Sequence, residues 1–186
     1  MKQKYMQECI RLADQTDKRI PGSCVGAIIL SPQGQVVGRG FKQIEPGLTF
    51  ALHAELVALR TAGESARGGC LVTSLEPCYP GTKGPKLVHS CCEDICAYGI
   101  SAVVFGLFDD SDIVYSGRGV SYLRDHGVQV VQYDKLNMLI ERQMSTVYQK
   151  VHQVRFGRPS NDHASVRPSY PIIIGGPNQP EDLSKR

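Results

Sequence analysis

Three short apolar runs set the frame for this chain. "CLVTSL" (70–75), "SAVVFGL" (101–107) and "VQVVQY" (128–133) have strand length and composition, and helix signals separate each from the next. "SCCEDICAYG" (90–99) opens on Ser90 as an N-cap and closes on Gly99, and "GRGVSYLRDHG" (117–127) is stopped by Gly127. Strands alternating with helices commit a chain to an α/β layer architecture, because helices must cover the apolar faces of the sheet.

The N-terminal half supplies the rest of that architecture. Residues 3–16 carry Met6, Cys9, Ile10 and Ala13 at helical spacing. "CVGAIIL" (24–30) and "VVGRGF" (36–41) read as strands joined by a hairpin turn at Pro32, Gln33 and Gly34. Residues 51–62 read as a helix ending at Gly63, and a last helix is expected from about Lys135 to His152. The order predicts a three-layer α/β/α sandwich around a five-stranded mixed sheet, forming one domain over residues 1–156. Residues 157–186 hold five of the eleven prolines and one apolar patch, Tyr170–Ile174. They are expected to form a tail that is either partly disordered or packed on a neighbouring subunit.

Composition excludes some function classes. With 186 residues, 41% apolar and 21% charged, the chain is long enough for a real core. No run approaches the ~18 apolar residues of a membrane span, and the basic N-terminus runs into an amphipathic pattern rather than a signal core. A cytoplasmic protein is expected. The net charge of +3 is spread without a dense basic run, and there is no Trp, so a strand-binding face for polynucleotides is not evident.

Seven cysteines, two of them adjacent, make a poor disulfide framework. Cys9, Cys24, Cys70 and Cys96 lie in apolar patterns and are expected to be small core residues. Cys78, Cys91 and Cys92 have a different setting. In "LHAELVAL" (52–59), His53 and Glu55 stand two positions apart, a pattern common by accident when alone. The segment after the strand at 70–75 gives it weight: Cys78 directly follows Pro77, and Cys91 and Cys92 open the next helix. A catalytic zinc takes thiolate and imidazole, keeping three protein ligands and one open position. His53 and Cys91 both fall at helix starts, where the positive end of the helix dipole favours thiolate and hydroxide. Glu55 would stand beside such a metal, able to handle the protons of water. H-x-E followed by P-C and a further cysteine is the pattern of zinc nucleobase deaminases, here with a longer gap before the last ligand. Either Cys91 or Cys92 can fill that place. Cys91 is favoured because it sits at the first helical position, whereas Cys92 is rotated about 100° toward Ile95 and Cys96.

With these residues in view, the sequence resembles the cytidine deaminase-like superfamily, and within it the pyrimidine deaminase of riboflavin biosynthesis. "VGAIIL", "HAELVALRTAGESARG", "VTSLEPC", "CCEDICAYGISAVVFGLFDD" and "GRGVSYLRDHGVQVV" carry the likeness over roughly residues 3–133. It implies Zn2+ held by His53, Cys78 and Cys91, with Glu55 as the proton shuttle. It also implies that the backbone of Ala54 and the carbonyl of Ser74 orient the substrate ring, and that Lys83 meets a phosphate. By resemblance the substrate is a small aminopyrimidine nucleotide that loses ammonia, and the protein is a homodimer or tetramer. The alternatives are a cytosine nucleoside or nucleotide, a secondary-metabolite heterocycle and, at more distance, a polynucleotide. The chain departs from the family in three places. Gly22 follows Pro21 where an Asn is usual, Tyr79 and Pro80 replace Ser-His, and the loop between Cys78 and Cys91 is longer. The reductase domain that commonly follows the bacterial deaminase is not expected here.

Overall fold

The computed structural model describes residues 2–16, 20, 22–44, 47, 50–80, 90–109 and 116–144. The tail at 157–186, the expected helix beyond residue 144, and Lys83, Lys86, His89, Asp110 and Asp112 lie outside these residues.

Within them the chain runs α1 (Lys2–Ala13), β1 (Gly26–Leu30), β2 (Val36–Phe41), α2 (Ala54–Ala62), β3 (Cys70–Leu75), α3 (Cys91–Ala97), β4 (Ala102–Leu107), α4 (Arg118–Asp125) and β5 (Gln129–Gln132). A 3₁₀ turn at Asp134–Leu136 leads into helical residues 137–144. The five strands form one sheet in the order β2-β1-β3-β4-β5. β1 pairs antiparallel with both β2 and β3, while β3–β4 and β4–β5 are parallel. The sheet is mixed, as expected.

Residue parity divides the sheet into two faces, because successive strand side chains point to opposite sides. Ala27, Ile29, Leu71, Leu75, Val103, Phe105 and Val130 share one core with Ala58 and Leu59 of α2, Ile95 of α3 and Leu123 of α4. Ile28, Leu30, Val72 and Val104 share the other with Met6 and Cys9 of α1 and with Ile140. Helices therefore cover both faces in three layers.

Two differences from the sequence reading have local causes. α2 starts at Ala54 rather than at residue 51, because Leu52 is held in an isolated β-bridge with Gln43. That bridge leaves His53 in extended conformation as the N-cap. Of the cysteines expected in the core, Cys9 and Cys24 are fully buried, whereas Cys70 and Cys96 are only partly so.

The "GRG" of β2 places α2 against the sheet. A Cβ at Gly40 would lie 2.2 Å from the Ala54 carbonyl oxygen, and one at Gly38 2.2 Å from that of Ala58. Both obstacles are backbone and have no rotamer to move. The first turn of α2, which carries Glu55 and follows His53, rests on a strip of β2 that has no side chains.

Candidate active site and metal centre

One end of the sheet gathers the polar groups. β3 finishes there, α2 and α3 begin there, and β1 and β2 meet there through the Lys42 N–H donating to the Val25 carbonyl at 3.2 Å. His53 enters as the N-cap of α2, Cys78 from the segment after β3, and Cys91 from the first position of α3. Ser90 caps α3 with a reciprocal box: its hydroxyl accepts from the Glu93 N–H, while the Glu93 carboxylate accepts from the Ser90 N–H at 2.7 Å. That cap fixes the entry of Cys91.

The three ligand-type atoms converge. His53 Nδ1 lies 3.1 Å from Cys91 Sγ and 3.6 Å from Cys78 Sγ, and all three atoms lie within 4.8 Å of one another. Zinc with Zn–S near 2.3 Å and Zn–N near 2.0–2.1 Å, in tetrahedral arrangement, separates nitrogen and sulfur by about 3.5 Å. Donor types and spacing both fit that ion. Cys92 does not join them. Its thiol points toward the Pro77 and Gly119 carbonyls, at 3.5 and 3.7 Å, on the packed side of α3.

Electrostatics inside the cluster favour one thiolate on Cys78. The Cys91 thiol beside it, the His53 ring and the Cys91 backbone N–H (3.3 Å from the sulfur) together pull the Cys78 thiol well down against the cost of burial. Cys91 moves the opposite way, because it faces that thiolate and is itself buried. Burial lowers the His53 imidazole, but contact with the Cys78 sulfur outweighs it and raises the ring.

Glu55 lies behind the cluster and is 4% exposed. One carboxylate oxygen accepts from the Thr73 hydroxyl at 3.3 Å, and the other is 3.6 Å from Cys91 Sγ. Thr73 is a polar interruption in the row formed by Leu71 and Leu75 on the α2 face of β3. Burial pushes the Glu55 carboxyl up from its ordinary range, the direction that suits a group trading protons near neutrality. The other expected residues fall nearby. Ala54 is buried at the first position of α2, and Ser74 is buried with its hydroxyl accepting from the Gly26 N–H at 3.2 Å. The Ser74 carbonyl lies where a Cβ on Gly106 would approach to 2.7 Å.

Sequence reading assigned no chemistry to Glu76, and its structural role is large. Glu76 is 2% exposed. Its carboxylate accepts from the N–H groups of Gly117 (2.9 Å), Val120 (3.1 Å) and Asp109 (3.4 Å), capping α4 from across the fold. A Cβ on Gly119 would meet the Pro77 carbonyl at 2.1 Å, so α4 lies directly on the segment that leads into Cys78. Glu76→Ala would orphan buried donors and should cost about 2–4 kcal/mol of stability in denaturant unfolding. A loss below about 0.5 kcal/mol would show that these bonds do not hold α4 in place.

Comparison with known proteins agrees with this geometry. Residues 1–107 match the cytidine and deoxycytidylate deaminase zinc-binding region. The riboflavin biosynthesis protein RibD of Buchnera aphidicola (subsp. Baizongia pistaciae) is 38% identical over 127 residues, covering 68% of this chain and 32% of that protein. The diaminohydroxyphosphoribosylamino-pyrimidine deaminase of Buchnera aphidicola (subsp. Acyrthosiphon pisum) is 35% identical, covering 68% of this chain and 80% of that protein. Among solved structures, the diaminohydroxyphosphoribosylaminopyrimidine deaminase/5-amino-6-(5-phosphoribosylamino)uracil reductase of Thermotoga maritima superposes with a TM-score of 0.65 at 28% identity, covering 83% of this chain and 42% of that one. The chain spans about a third of the length of the first curated relatives it matches. A His/Cys/Cys cluster that suits zinc, a buried glutamate beside it and a match over more than half its length lead to one conclusion: the chain belongs to the cytidine and deoxycytidylate deaminase zinc-binding family, among the deaminases of riboflavin biosynthesis.

Proposed function

We propose that the protein is a hydrolytic deaminase of a free aminopyrimidine nucleotide of the riboflavin type, with His53, Cys78 and Cys91 holding one zinc. The observation that carries this reading is the convergence of His53 Nδ1 and the two sulfurs in front of the buried Glu55 carboxylate. A bound zinc supplies Lewis acidity, which makes hydroxide available from water near neutral pH. Glu55 takes the proton of the attacking water, delivers it to the ring nitrogen next to the amino-bearing carbon, and then protonates the departing amine, so that ammonia leaves. Thr73 orients the carboxylate for both transfers by donating to one of its oxygens. Ala54 at the start of α2 and Ser74 at the end of β3 contribute backbone groups for the polar edge of the ring, and Lys83 is assigned to the phosphate.

The substrate class draws support from the relative of Buchnera aphidicola named as a pyrimidine deaminase, of which this chain covers most of the length. The protein is proposed to work as a homodimer or tetramer, in which a second subunit helps close the pocket. Seven unpaired cysteines suit a reducing compartment such as the cytoplasm, and no helix among the described residues is long and apolar enough to cross a membrane. The substrate test is an ammonia-release screen of the zinc-loaded protein. The panel holds diaminohydroxyphosphoribosylaminopyrimidine, its dephosphorylated riboside, cytosine, cytidine, dCMP and a cytosine-containing oligonucleotide. Release from the aminopyrimidine nucleotide at the highest kcat/KM is expected. A higher value for any cytosine compound would move the substrate assignment to that compound.

A further inference from the structure

Lys42 is a charged group of this site that the reaction above does not use. It directly follows β2, its N–H is tied to Val25, and its ammonium donates to the Ser23 carbonyl at 3.4 Å. Gly22 lies on its other side: a Cβ there would come within 3.4 Å of Nζ. The side chain is partly buried, and its ammonium interacts electrostatically with Glu55, with Asp109 and with the His53 ring. Burial lowers its pKa, and the two carboxylates oppose that shift. An ammonium withdrawn from water at the inner end of a substrate site needs a use that offsets its desolvation.

Charge identifies the ligand. With Glu55 and Asp109 both acting on it, the surroundings of Nζ are anionic, which disfavours a phosphate dianion there. A neutral acceptor suffers no such repulsion and still gains a charge-assisted hydrogen bond. The reach of Lys42 to Glu55, which meets the reacting amidine, puts that acceptor on the heterocycle rather than on a sugar phosphate. Resting on the deaminase reading, we propose that Lys42 is a substrate-positioning residue whose ammonium, seated between Ser23 and Gly22, donates to a carbonyl oxygen of the pyrimidinone ring.

The test measures binding apart from turnover. Calorimetry follows diaminohydroxyphosphoribosylaminopyrimidine and its dephosphorylated riboside binding to the zinc-loaded Glu55→Gln protein, with and without Lys42→Ala. Both ligands should weaken by roughly 10–100-fold, the loss that accompanies removal of a hydrogen bond to a charged group. Zinc content and thermal midpoint should stay unchanged. In the active enzyme Lys42→Ala should raise KM by a similar factor with little change in kcat, and Lys42→Arg should recover part of the loss. Lys42→Gln serves as the second variant should the alanine protein fold poorly. A loss confined to the phosphorylated ligand would place the contact on the phosphate and overturn the proposal. So would unchanged affinity, or a fall in kcat alone. If wild type releases ammonia from the nucleotide while Lys42→Ala behaves identically, this proposal fails and the deaminase reading stands. If neither ligand binds even with Lys42 in place, both fail.

Discussion

Glu55→Gln should leave zinc bound and the fold intact while cutting turnover by about 10²–10⁴-fold, the contribution of a well-placed general acid–base. Gln is nearly isosteric with Glu, so it can still accept the Thr73 hydroxyl that now meets a Glu55 oxygen at 3.3 Å. What it cannot do is take a proton from water and return it to the ring and the amine. Removing a buried carboxyl whose ionisation is already disfavoured by burial should not destabilise the protein; unfolding should occur at the same denaturant midpoint or slightly higher. Steady-state ammonia release and metal analysis on the same preparation check both halves. Turnover within about tenfold of wild type would remove Glu55 from the chemistry.

The second large effect concerns the metal. Cys78→Ser and Cys91→Ser should each take zinc from about one per chain to near none after dialysis, with loss of turnover, since a three-ligand site cannot spare a thiolate. Cys92→Ser is the internal control. Its sulfur faces the Pro77 and Gly119 carbonyls rather than His53, and a serine hydroxyl there can donate to the same acceptors. That variant should retain its zinc. Zinc retained in Cys91→Ser but lost in Cys92→Ser would exchange the two assignments.

Much of this architecture was legible because local pattern and tertiary role coincide. β2 and β3 run over the residues that their apolar runs mark, and the Ser90 cap predicts where α3 begins. Adjacent Cys91 and Cys92 diverge as helical rotation requires, one toward His53 and the other into the packed face. What stayed hidden depends on partners distant in sequence. The three donors to Glu76 lie 33 to 44 positions away, so no local signal marks it as the cap of α4. Lys42 follows an ordinary strand, and only the fold sets it against Glu55 and Asp109. The start of α2 was misplaced because the Gln43–Leu52 bridge is a tertiary pairing that helical periodicity does not register. Gly38 and Gly40 likewise look like weak strand positions until the carbonyls of α2 are seen lying on them.

Hydrolytic deamination at this site is tested most directly by running the reaction in ¹⁸O-labelled water with diaminohydroxyphosphoribosylaminopyrimidine and zinc-loaded protein. The expected result is about one ammonia and one ¹⁸O atom in the product carbonyl for each substrate consumed. Both signals should fall together in Glu55→Gln and in metal-stripped Cys91→Ser. Substrate consumed without ammonia, or ammonia released without ¹⁸O in the ring product, would contradict the account.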